Sequence, residues 1–124
     1  MIRVLDLDRS VRFYSDALGL AVANHLDFPD FELAYLRNAE SDFELELTLN
    51  KGRVEPYTHG TGFGHVAVSV DDLEAEHARL KGRGIVPNDI KELRDGERLI
   101  ARFFFMQDPD GYKIEVLQRL GHYV

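Results

Sequence analysis

"FGHVAVSVDDLEAEHARLKGRG", residues 63–84, changes periodicity partway along its length. Val66, Val68 and Val70 alternate with His65, Ala67 and Ser69, the pattern of a strand with two unlike faces. From Asp71 the spacing predicts a helix, with Asp71 and Glu74 as a capping box. The first residues repeat the arrangement: "MIRVL" alternates like a strand, and "DRSVRFYSDAL" predicts a helix ended by Gly19. Each of these units needs further strands to cover it.

Candidates follow in both halves. "AVANHL", "FELAYLR" and "DFELELTLN" predict strands after the first helix, and "IVPNDI", "RLIARFFFM" and "YKIEVL" after the second. "DPDG" at 108–111 suits a type I turn, with Asp first, Pro second and Gly fourth. "KGRVEPYTHGTG" is rich in glycine and polar residues and separates the halves as a linker. The expected fold is therefore α+β, a single domain over residues 1–124 made of two tandem βαβββ modules, about 1–52 and 63–124. Aligning Asp6-Leu7 with Asp72-Leu73 gives an offset of 66, and aligning Phe43–Glu46 with Tyr112–Glu115 gives 69, so the halves differ by a short loop.

Composition limits the function. The chain has 124 residues, 44% of them hydrophobic and 30% charged, as ordinary globular proteins do. No apolar run reaches the roughly 20 residues of a membrane helix, and the start lacks the pattern of a signal peptide, so the cytoplasm is the expected location. The absence of cysteine removes disulfides, thiolate metal sites and thiol nucleophiles together. A net charge of −7 argues against nucleic acid and anionic membranes as partners, and an anionic small substrate must meet a few well-placed cations.

Strand parity selects the candidates. Phe43, Leu45, Leu47 and Leu49 form one face of the first module's last strand, and Glu44, Glu46, Thr48 and Asn50 the other. In "YKIEVL", Ile114 and Val116 oppose Lys113, Glu115 and Leu117. The aliphatic faces are expected to pack the helices and the others to line a cleft. Judged alone, Glu44 and Glu46 are the solvated side of a strand, and His65 an ordinary half-buried histidine. Together, one histidine and two glutamates on non-aliphatic faces suit a divalent first-row ion. His65 lies seven residues before Asp72, and the matching place before Asp6 is two residues upstream of Met1. Arg3 shares that position's parity. Phe13, Tyr14, Phe103, Phe104 and Phe105 are expected in the core, while His25, His59, His77 and His122 receive no role.

"RVxDLxxSxxFYxxxLGL", "ELTxNxG", "GHVAVSV" and "DPDGYKIEV" together resemble glyoxalase I (lactoylglutathione lyase), of the vicinal oxygen chelate superfamily. The resemblance runs along nearly the whole chain. It implies an enzyme, a carbon–sulfur lyase of methylglyoxal detoxification, which isomerises the glutathione–methylglyoxal hemithioacetal to S-lactoylglutathione through an enediolate. It makes Glu46, His65 and Glu115 metal ligands, with Glu115 the first choice of catalytic base and Glu46 its partner. Arg3 and Asn50 match positions that hold the glutamyl carboxylate of glutathione. The family's remaining ligand, His or Gln, falls four residues before Arg3, the upstream place that the repeat also indicates. The resemblance further implies a homodimer with sites at the interface, and the compact length implies nickel or cobalt in preference to zinc. Lys51 stands where an aromatic residue is common, and Thr61 where longer relatives have an arginine. Two other readings compete: a metal-free small-molecule binding protein of the same superfamily, and an extradiol-type dioxygenase holding iron with two histidines and one carboxylate.

Overall fold

The computed structural model describes residues 1–124, in two compact units: Met1–His59 with Asp108–Asp110, and Gly60–Gln107 with Gly111–Val124. The first contains β1 (Ile2–Val4), α1 (Leu7–Leu18), β2 (Ala21–Asp27), β3 (Phe31–Arg37) and β4 (Leu45–Asn50). The second contains β5 (Val66–Val70), α2 (Leu73–Gly82), β6 (Lys91–Asp95), β7 (Arg98–Gln107) and β8 (Lys113–Gln118). The sheets have equivalent orders, β1-β4-β3-β2 and β5-β8-β7-β6, each with one parallel pair and two antiparallel ones. The expected α+β class and its two βαβββ modules are thus the observed ones.

The strand registers explain why two different offsets were needed. Ile2 pairs with Leu47 and Val68 with Val116, so an offset of 66 on one strand meets an offset of 69 on its partner. The three-residue difference is taken up between the strands, and the same faces are presented in both modules.

In the first unit α1 packs on β2 and β4. Asp6, extended at φ −141°, accepts from the Arg9 amide at 2.9 Å and so satisfies one of the helix's unpaired N–H groups. Gly19 ends the helix at φ +65°, a left-handed conformation that costs other residues more; its N–H donates to the Ser15 carbonyl at 3.0 Å, and the Leu20 N–H to the Tyr14 carbonyl at 3.2 Å. Ile2, Val4, Ala34, Leu36, Leu45 and Leu47 are buried with Tyr14 and Ala17. Burying a Leu-sized side chain stabilises by about 1.5–3 kcal/mol, so this set carries much of the unit.

The Asp108–Asp110 turn belongs to this first unit and clasps α1. One Asp110 oxygen accepts from the Leu5 amide at 3.1 Å and faces Arg9 at 3.4 Å, and the other accepts from Ser10 Oγ at 3.3 Å. Tyr14 donates its hydroxyl to Asp108 at 2.7 Å.

In the second unit α2 packs on β7 and β8, over Leu73, Leu80, Phe104, Met106, Ile114 and Val116. Four expectations need correction. The α2 cap is Asp72, which accepts from the Ala75 amide at 3.0 Å; Asp71 instead meets Arg119 at 3.0 Å, and Glu74 pairs with Arg102. The extended residue before the helix is one place later than the capping-box spacing implied, and three residues beyond it stands alanine, so no box forms. "IVPNDI" is not a strand: buried Pro87 has no N–H for a ladder, and the strand begins only at Lys91. The segment is held at Asn88, whose amide donates to the Phe105 carbonyl at 2.8 Å and whose carbonyl meets His77 Nε2 at 2.8 Å. Of the five aromatics expected in the core only Tyr14 and Phe104 are buried, because Phe103 and Phe105 alternate with Phe104 onto the opposite face of β7. Finally, β4 begins at Leu45, which leaves Phe43 exposed and Glu44 outside the strand. No helix is long and apolar enough to cross a membrane.

Candidate active site

The sheet face turned away from α2 carries the most concentrated chemistry of the second unit. His65 immediately precedes β5, and Glu115 on β8 stands opposite Ala67, two residues further along β5. Residues two apart on a strand share a face, so the imidazole and the carboxylate lie on the same side of the sheet. They meet at 2.9 Å, His65 Nε2 to Glu115 Oε2. Glu115 is the more enclosed, with its side chain 17% exposed against 39% for His65. Phe105, opposite Glu115 on β7, sets its ring edge-on to the His65 ring with centroids 5.1 Å apart. The phenyl ring thus lines one side of the imidazole. Phe105 was expected in the core; its strand parity with Glu115 was the signal for a place on this face.

The equivalent face of the first unit carries the other predicted residues. Glu46 on β4 stands opposite Tyr35 and is half-buried, with Thr48 Oγ1 at 3.5 Å from its Oε1. Arg3 on β1 stands opposite Thr48, so Arg3, Glu46, Thr48 and Asn50 share one face. Asn50, the last residue of β4, donates from Nδ2 to the Tyr57 hydroxyl at 3.0 Å. Lys51 points elsewhere: its ammonium meets Asp27 and the Phe28 carbonyl, and its amide donates to the Asp30 carbonyl at 2.9 Å. The hydrogen bond to Lys51 holds the Asp27 carboxyl below its ordinary value and in turn raises the Lys51 ammonium. Lys51 is therefore a neutralised cation.

Of the three predicted ligands the second unit brings His65 and Glu115 together, and Glu46 belongs to the first unit. No group of three or more such donors that could hold a metal ion forms within one chain. The pair that does form meets through a 2.9 Å hydrogen bond, and an imidazole with a carboxylate is a donor set for first-row divalent metals.

Residues 1–116 match the Glyoxalase/Bleomycin resistance protein/Dioxygenase superfamily. Among curated proteins the chain is similar to the lactoylglutathione lyase of Haemophilus influenzae, at 44% identity over 95% of this chain and 88% of that protein. It is similar also to a probable lactoylglutathione lyase of Synechocystis, at 38% identity over 95% and 91%. Among solved structures it resembles the trypanothione-dependent glyoxalase I of Leishmania major, with a TM-score of 0.74 and 36% identity over 95% of this chain and 82% of that one. The chain therefore belongs to the glyoxalase/bleomycin resistance protein/dioxygenase superfamily and, within it, to the lactoylglutathione lyases (glyoxalase I), which are carbon–sulfur lyases.

Proposed function

We propose that this protein isomerises the hemithioacetal of methylglyoxal and glutathione to S-lactoylglutathione, with a divalent metal ion at His65 and Glu115. The observation that carries this reading is the His65–Glu115 pair, brought together on one sheet face. Relatives that bear the lactoylglutathione lyase name over nearly the same length support the substrate.

The reaction moves a proton between adjacent carbons. The carbon acid is weak, so the negative charge that develops on the enediolate must be stabilised. A divalent ion supplies that stabilisation as a Lewis acid. Glu115 removes the proton from the carbon that carries sulfur and returns it to its neighbour, with Glu46 as partner. Phe105 stands opposite Glu115 in the sheet, and the carboxylate is partly enclosed. Arg3 and Asn50 hold the glutamyl carboxylate, Arg3 through the paired N–H groups that match a carboxylate's two oxygens.

Two copies of the chain share each site in this reading. Glu46 from one subunit joins His65 and Glu115 from the other. Imidazole and carboxylates without sulfur suit nickel, cobalt and zinc alike, and the preference for nickel or cobalt comes from the resemblance to the compact members of the family.

Mixed copies test the arrangement. Glu46→Gln and His65→Ala are each expected to remove turnover of the preformed hemithioacetal. Co-assembled, they leave one site of each mixed dimer intact, so activity should return to about a quarter of the wild-type level if subunits pair at random. Mixtures that stay inactive beside an active wild type would rule out the shared site.

A further inference from the structure

The turn after β4 brings two cations close to Asn50. Its geometry is fixed: the Arg53 amide donates to the Asn50 carbonyl at 3.2 Å, and Gly52, third in the turn, sits at φ +84° as a type II turn requires. Lys51 is spent on Asp27. Arg53 is arranged differently. Its Nε donates to the Glu55 carbonyl at 2.8 Å and an Nη to the Pro56 carbonyl at 3.3 Å, and its guanidinium lies 4.5 Å above the centre of the Tyr57 ring. The same tyrosine accepts from Asn50 through its hydroxyl at 3.0 Å. Two of five N–H groups are satisfied by carbonyls, and no carboxylate neutralises the charge. In a chain of net charge −7, a guanidinium fixed in place and left without an anion is poised to receive one.

We infer that Arg53 is the second cation of the thiol substrate's carboxylate site, and that Tyr57 is the positioning residue that holds Arg53 by its ring face and Asn50 by its hydroxyl. The inference rests on the reading of Arg3 and Asn50 as the glutamyl-carboxylate site. It supplies, from the linker, a charge that the threonine at position 61 does not provide. The stacked arrangement also predicts that lysine is a poor substitute, since an ammonium has no planar fork to lie on the ring while it binds a carboxylate.

The test is binding of two probes to the full chain: S-hexylglutathione, and S-hexyl-cysteinylglycine, which lacks the glutamyl group. Arg53→Ala is expected to weaken S-hexylglutathione by about 10-fold, as loss of one charge-assisted contact does, and to leave the shorter probe within about twofold. Arg53→Lys should recover only part of the loss. Tyr57→Phe keeps the ring and loses the hydroxyl, and should weaken the longer probe by about threefold, the effect of one neutral hydrogen bond. Equal losses for both probes, or none for Arg53→Ala, would overturn the assignment while wild-type binding upholds the underlying site. A wild type that binds neither probe would overturn the carboxylate site itself, and Arg53 with it.

Discussion

Glu115→Gln is expected to lower turnover of the hemithioacetal by about 1,000-fold or more, the range in which loss of a positioned general base falls. The substitution preserves shape and can still hydrogen-bond to His65, so the fold should persist by circular dichroism. It removes the negative charge on which both proposed roles depend: an amide is a weaker metal ligand than a carboxylate and cannot take a proton at neutral pH. Bound metal should therefore fall along with the rate. A variant within about tenfold of wild type would show that Glu115 is not the base. Loss of rate with metal content unchanged would separate its two roles.

The second large effect concerns stability. Asp110→Ala should destabilise the chain by about 3 kcal/mol in urea unfolding, since it withdraws the acceptor from the Leu5 amide and from Ser10 and leaves Arg9 without its carboxylate. The Asp110 side chain is only 4% exposed, so water does not readily replace it. Asp110→Asn keeps an acceptor oxygen and should cost appreciably less. Equal stability of wild type and Asp110→Ala would mean that the turn does not clasp α1 in solution.

The modules were legible because strand and helix periods change at fixed places. Val66–Val70 alternates, Asp6 and Gly19 bracket α1, and the two offsets of the repeat agree with the observed pairing. What stayed hidden depended on long-range contacts or on absent periodicity. The strand Lys91–Asp95 is exposed throughout, so no apolar face marks it, whereas apolar Ile85, Val86 and Ile90 around Pro87 imitate one. "DPDG" announced a turn but not its grip on a helix about 100 residues earlier in the chain. At the candidate site, parity placed His65 and Glu115 on non-aliphatic faces, and the structure brings them within 2.9 Å. Parity applied equally to Phe103 and Phe105, but three consecutive phenylalanines suggest a core, and only the register with Glu115 assigns Phe105 to the other face. Arg53 and Tyr57 lie in a segment without periodicity, and only the folded turn joins them to Asn50.

The most direct test of the central claim is thioester formation from preformed methylglyoxal–glutathione hemithioacetal. It should be followed with metal-stripped protein and with protein reloaded with nickel, cobalt or zinc, both in the chain from Met1 and in one that carries a histidine two residues upstream. No turnover is expected without metal, and the highest rates are expected with nickel or cobalt, most strongly in the chain with the added histidine. Absence of turnover in every preparation, with no metal retained, would contradict the central claim.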